Sequence, residues 1–403
     1  MKTKTFLFFL ILLVSNVNAQ WEYLSNPYGN ASVNTLTNVN SNLIAGVLGN
    51  MVDGGLYLST DKGVTWQNKL GYNRVYSAEF DGNMIFVGTA NGLYVSDDFG
   101  LNWHQNSRLQ NIFAIASYDK KLLVGNSGVW ISSDGGSTWY NDGSALRKYT
   151  IQTIVVFDNV LFAASPNNID DDSYVFRSTN LGNSWELKKT GLPKTRIMSL
   201  AINKSKLFAA TSDSGVYFSS DQGNSWISRN IGLSNLRAQK IFFVKDNLLV
   251  STWGGLYISN NFGESWNSFN DGLENIVANS FTIDDSNIYV GTNFGGVYKR
   301  KISEIITHIK SVLPTTYKLE QNYPNPFNPE TTIEYQLPTP GLVTLTVYDL
   351  LGREVATLVN EFKNAGSYNY QFSILNYQLA SGVYFYRLQS GSYSETKKLV
   401  LVK

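Results

Sequence analysis

The chain of 403 residues has no cysteine and only two histidines. It cannot build a disulfide framework, a thiolate metal site or a cysteine nucleophile, and a two-histidine metal site or Ser-His-Asp triad would have to use His104 or His308. Charge of one sign is missing too. The 32 Lys and Arg balance 31 Asp and Glu, which argues against a nucleic-acid footprint or a polybasic membrane patch. Proline is scarce, and six of the nine fall between Pro314 and Pro340. Past the N-terminus no apolar run is long enough for a membrane-spanning helix, so no transmembrane segment is expected in the mature chain. What is plentiful is Tyr (24), Phe (22), Trp (9) and Gly (33), a composition suited to strands and tight turns.

The ends differ from the middle. Lys2 and Lys4 precede an apolar run from Phe6 to Val14, and Val17-Asn18-Ala19 supplies small residues for cleavage. Residues 1–19 are therefore expected to be a signal peptide, cut before Gln20, because the apolar run is too short to span a bilayer. The proline cluster marks a second boundary. Residues 302–316 read as a linker and 317–403 as a separate small domain.

One pattern fills residues 20–301: an apolar pair, Ser, any residue, Asp or Asn, any residue, Gly, two residues, Trp. It recurs from Ser59 to Trp66, Ser96 to Trp103, Ser132 to Trp139, Ser178 to Trp185, Ser219 to Trp226 and Ser259 to Trp266. A period of about 40 residues fits four short strands, the signature of a propeller blade. Second strands ending at Gly46, Gly88, Gly125, Ala164, Ala210, Ser251 and Gly291 make seven units. The last lacks a Trp-led fourth strand, and Trp21-Glu-Tyr-Leu-Ser-Asn26 resembles the missing one. The fold class expected is all-β: a seven-bladed β-propeller closed by its N-terminal strand, followed by a small immunoglobulin-like β-sandwich.

The repeated turn resembles the Asp-box, or BNR repeat, of sialidases, sortilin-type receptors, xyloglucan-degrading enzymes and photosystem II assembly factors. That resemblance implies a fold rather than an activity. Asp61, Asp98, Asp134 and Asp221 are replaced at the same place by Asn180 and Asn261, so the position calls for a short acceptor of turn N–H groups, not an acid. The box residues, with Trp66, Trp103, Trp139, Trp185, Trp226 and Trp266, are therefore read as structural.

Counting back fourteen residues from each second-strand end gives a ring of positions expected at one mouth of the channel: Ser32, Arg74, Asn111, Thr150, Arg196, Arg237 and Val277. Three of the seven are arginine in a chain with ten, and arginine suits carboxylates and phosphates through paired donors. Ligand-binding candidates are Arg74, Arg196, Arg237, Asn111 and Trp253, with Phe294 and Tyr149 as further stacking surfaces. A loop from Ser165 to Ser173, with acidic residues Asp170 to Asp172, lacks the ordered alternation of a calcium loop and is expected to be solvated. No metal or cofactor is expected. His104 follows a box tryptophan, His308 lies in the linker, and neither has a catalytic setting.

Compared with sialidases, Asn73-Arg74-Val75-Tyr76 and Thr195-Arg196-Ile197-Met198 keep only the Arg-aliphatic part of the Arg-Ile-Pro motif, without its proline. Glu79 and Tyr76 are three apart, which simple alternation places on opposite faces. No catalytic residue is assigned. The expected role is a non-catalytic binding or scaffold module for a glycan, anionic or protein ligand, with a glycan-degrading hydrolase, sialidase-like or xyloglucanase-like, as the alternative.

From Tyr317 the Asn325-Pro-Phe-Asn-Pro329 motif, Val347-Tyr-Asp-Leu-Leu-Gly-Arg-Glu-Val355, Ser381-Gly-Val-Tyr-Phe-Tyr386 and the terminal Lys397 to Lys403 resemble the C-terminal sorting domain, type A, of type IX secretion cargo in Bacteroidota and their relatives. This implies that residues 317–403 engage the type IX machinery and that the protein is secreted or held at the outer cell surface.

Overall fold

The computed structural model describes residues 20–29, 31–48, 54–71, 73–106, 108–141, 146–166, 174–273, 277–305, 313–374, 377 and 379–402. Among them, strands between Glu22 and Lys301 form seven antiparallel sheets, and strands between Lys318 and Leu401 form two more. The first strands of the seven are Ser32–Val39, Val75–Phe80, Ala114–Tyr118, Thr153–Phe157, Ile197–Asn203, Ala238–Val244 and Ala278–Ile283. Each contacts the first strand of the next sheet and the last contacts Ser32–Val39, so together they ring a central channel.

Small residues at the ends of the second strands make that ring possible. A Cβ on Gly46 would lie 2.4 Å from Val75 of the following sheet, and one on Gly88 or Gly125 would meet the carbonyl of Ile112 or Ile151 at 2.5 or 2.6 Å. At Gly291 the clash would be with Val33 of the first sheet, at 2.5 Å, so the same close approach joins last sheet to first. Opposite these positions five of the first strands carry a bulge, at Val33/Thr35, Val75/Ser77, Ile197/Ser199, Ala238/Lys240 and Ala278/Ser280. An extra residue there bends the strand and re-aims its side chains.

Neighbouring sheets are tied by tryptophan. The Trp226 N–H donates to the carbonyl of Thr190 and the Trp266 N–H to that of Ile231, each five residues beyond the preceding box tryptophan. Gly191 and Gly232 follow these carbonyls at φ 88° and 87°, where a Cβ would come within 2.2 and 2.1 Å of the tryptophan oxygen. Trp21 has no box but repeats the arrangement. Its N–H reaches Asp271, Gly272 takes the glycine role, and its indole Nε1–H donates to Phe269 at 2.8 Å. Glu22–Ser25 then pairs antiparallel with Val297–Lys301, so the N-terminal strand completes the last sheet.

Two local expectations need correction. The third sheet has three strands among the described residues. After Trp139 only Tyr140 pairs, with Ile131, and the crossing onward passes through 142–145, outside the described residues. The start of the expected linker is also not free chain. Residues 302–305 form a helical turn whose Ile302 and Ile305 are buried with Trp21 and Phe269, because their apolar side chains cover the base of the closing sheet.

The C-terminal unit packs Lys318–Leu319, Glu330–Leu337 and Gly366–Ser373 against Glu354–Lys363, Gly341–Tyr348, Gly382–Ser390 and Tyr393–Leu401. Its core includes Phe327, Ile333, Leu345, Tyr386 and Leu399. The proline motif and the terminal strand meet here. The Phe327 N–H donates to Val400, the Val402 N–H to Phe327, and the Tyr386 hydroxyl bridges the Glu320 carbonyl and the Asn322 N–H.

Candidate binding face

The box turns occupy one face of the ring. In each, the Asp or Asn Oδ1 accepts the backbone N–H four residues on, and the Ser hydroxyl accepts the N–H of the Gly four residues on from it. Representative distances are Thr65 N to Asp61 at 2.8 Å, Ser184 N to Asn180 at 2.9 Å and Gly63 N to Ser59 at 2.7 Å. Hydrogen bonds from residue 65, 102, 138 or 225 hold the carboxyls of Asp61, Asp98, Asp134 and Asp221 at about 2, below the usual carboxylate range. Permanently ionised, committed to turn N–H groups and interchangeable with amide, they have no proton to exchange near neutral pH.

The opposite face carries the crossings between sheets. The Arg74 carbonyl accepts from Ala90, that of Arg196 from Ser212, that of Arg237 from Trp253 and that of Val277 from Asn293, so each crossing is pinned to the hairpin between second and third strands of its own sheet. Thr150 bridges Ser127, and Asn111, at φ 52°, donates its N–H to Ala90. Ser32 is nearly buried, its hydroxyl bonded to Asn293.

Arg74, Arg196 and Arg237 are exposed and form no ion pair among the described residues. The Arg237 guanidinium lies 4.7 Å from the Trp253 ring centroid, and Trp253 is itself 56% exposed. Cation and aromatic surface are thereby held together before any ligand arrives. Beside Arg196, burial opposes ionisation of Asp213, but hydroxyls of Thr195, Ser214 and Ser212 and the arginine's charge outweigh it and keep the carboxyl below its ordinary range. Phe294 is exposed. Tyr149 is not a stacking surface: it is 7% exposed and packs on Tyr174 and Phe176, at 4.5 and 4.9 Å.

Lys240 was missed. It sits opposite Ser251 on a first strand, where the other sheets place Thr35, Ser77, Ala114, Thr153, Ser199 and Ser280. Counting back eleven residues rather than fourteen from the second-strand ends finds this ring, and Lys240 is its one charged member. Solvent reaches the side chain through the channel although protein surrounds it, and this desolvation lowers the ammonium pKa. The channel thus holds an amine inside the mouth as well as guanidinium groups at its rim.

The bulge at Tyr76 breaks the alternation that set Tyr76 and Glu79 on opposite faces, but the two do not pair. Tyr76 packs on Phe113 at 4.8 Å, and Glu79 accepts from Ser117 at 3.0 Å. Burial raises the Glu79 carboxyl, within a channel cavity of about 360 Å³ lined also by Ala116, Val155 and Phe242. His104 is exposed on a fourth strand. His308 and Asp170 to Asp172 lie outside the described residues. Among the described residues no group of His, Asp and Glu could hold a metal ion, and no helix is long and apolar enough to cross a membrane.

Residues 321–403 match the family model of the secretion system C-terminal sorting domain. No sequence match appears among curated proteins. Solved structures similar in fold include YCF48 from Cyanidioschyzon merolae (14% identity, TM-score 0.55, 71% of this chain and 99% of that one). YCF48 bound to D1 peptide is similar to the same degree (14% identity, TM-score 0.55, 70% and 95%). PorZ, described as an essential bacterial surface component of the type-IX secretion system of Porphyromonas gingivalis, matches over 94% of this chain and 60% of its own length, at 16% identity and TM-score 0.53. The chain is thus a β-propeller followed by a type IX sorting domain, which implies contact with the secretion machinery and export to the cell surface or beyond.

Proposed function

We propose that the seven sheets are the blades of one propeller and that this propeller is a non-catalytic binding or scaffold module for an anionic ligand, glycan or peptide, taken at the mouth. In this reading residues 1–19 direct inner-membrane export, 317–403 direct outer-membrane passage, and the connection near 302–316 is where the two parts are separated. Arg74, Arg196 and Arg237 supply rim donors, Asn111 a polar contact, Trp253 a stacking face and Lys240 an amine donor within the channel. The observation that supports it most is the Arg237–Trp253 pair: both are exposed, and they are stacked on each other where the hairpin N–H of Trp253 is bonded to the Arg237 carbonyl. A solvated surface arginine gains little from a fixed geometry, whereas a guanidinium already stacked loses less freedom on binding.

The test is an array of acidic and neutral glycans and anionic peptides, screened for binding and for hydrolysis. The expected result is retention of one anionic class, lost by at least tenfold in R74A/R196A/R237A, with no hydrolysis. Equal binding by the triple variant removes the arginine site. Turnover of a glycan restores the hydrolase reading.

A further inference from the structure

One box turn differs from the other five. At the fifth residue after the box serine the chain carries Val64, Leu101, Ser137, Asn183 and Asn224, all exposed, but Glu264 in the sixth turn. The following residue is exposed in five turns, whereas Ser265 is buried, as is Asn261 of the same box. What covers them is the C-terminal sandwich. Lys363 Nζ lies 2.7 Å from Glu264 Oε1, and the same oxygen is 3.3 Å from Arg229 Nη1 of the neighbouring sheet. Asn364 Nδ2 donates to the Asn260 carbonyl at 3.3 Å, and Lys363 also pairs with Glu361 at 2.9 Å. The side chains of Lys363, Glu264 and Arg229 are 11%, 16% and 22% exposed, so the three charges are largely withdrawn from water, with the Arg229 Nε left without a hydrogen-bond partner.

We propose that the sixth box turn is a docking surface for the protein's own sorting domain, and that it holds the domain in place after the connecting chain is cut. Release is then a second step, dissociation of the Arg229–Glu264–Lys363 latch, rather than a consequence of cleavage alone. The latch lies on the box-turn face, so the arginine mouth stays open while the sorting domain is docked. The inference does not rest on ligand binding at that mouth. Charge complementarity identifies the occupant: a single carboxylate faces cations from both sides, and removal of the sandwich would leave Arg229 as its one ion-pair partner among the described residues.

The test uses the full chain with a protease site placed between Ile305 and Leu313, cut under native conditions and run on size exclusion at about 50 mM and about 500 mM salt, conditions that differ severalfold in screening length. The two pieces should co-elute at the lower salt, and E264Q/K363Q should weaken their association by at least tenfold. Wild-type pieces that separate as completely as those of the double variant, or a double variant that holds them equally well, would overturn the proposal. Carbodiimide coupling of the uncut chain provides a readout independent of any variant's folding. A Glu264–Lys363 amide should be the main inter-domain link, and its absence counts against docking.

Discussion

The two faces of the propeller are built from the same strands but treat repetition in opposite ways. On the box-turn face, six turns repeat Ser, Asp or Asn, Gly and Trp, and their bonds stay within the fold. On the mouth face, equivalent positions read Ser32, Arg74, Asn111, Thr150, Arg196, Arg237 and Val277, with no shared chemistry. A residue type that recurs at every period serves what every period needs, which is folding. Where equivalent positions diverge, the fold does not dictate the choice and a ligand can.

Tryptophan offers the largest contrast between the faces. Trp226, 3% exposed and bonded to the preceding sheet, should cost about 3–5 kcal/mol on substitution by Ala, the range for large aromatic truncations in cores. Trp253 on the mouth face should change stability by less than about 0.5 kcal/mol when made Ala, as exposed positions do. Urea unfolding of the two variants side by side measures both, and equal losses would erase the distinction. Next in size, Gly232→Ala forces a side chain at φ 87° against the Trp266 carbonyl and should cost about 1–3 kcal/mol or more.

Acid should act on the box-turn face. Asp61, Asp98, Asp134 and Asp221 have folded-state pKa values of about 2 against 3.8, so their turns add stability at pH values above 3.8, and that contribution is lost as pH falls toward 2. The quadruple Asp→Asn variant should keep its turns, as Asn180 and Asn261 do, and lose less stability on acidification. A variant as acid-sensitive as the parent would show that the boxes do not set the response. Smallest of all, R74A/R196A/R237A should leave the unfolding midpoint nearly unchanged, since all three are exposed and none forms an ion pair among the described residues.

The same contrast governs what could be read from sequence. Box turns were legible because each uses a contiguous string of residues with one geometric purpose, and Trp21 was legible as the missing fourth-strand tryptophan. Bulges were not, since an extra residue in a first strand leaves no compositional mark; the one at Tyr76 interrupts simple alternation, although Tyr76 and Glu79 stay unpaired with each other, as the sequence predicts. Tyr149 reads as a stacking surface near the mouth, but only the packing of Tyr174 and Phe176 around it reveals burial. Lys240 required alignment on the bulge rather than on the crossing. Glu264 stood in plain view as a departure from its repeat, but its meaning depended on a contact 99 residues further along the chain.

The division of labour between faces is tested most directly by hydrogen–deuterium exchange of the full chain with and without the ligand found by screening. Added protection should fall on the crossings and hairpins around Arg74, Arg196, Arg237 and Trp253, with the box turns unchanged. Protection confined to the box turns, with the mouth unaffected, would contradict the account.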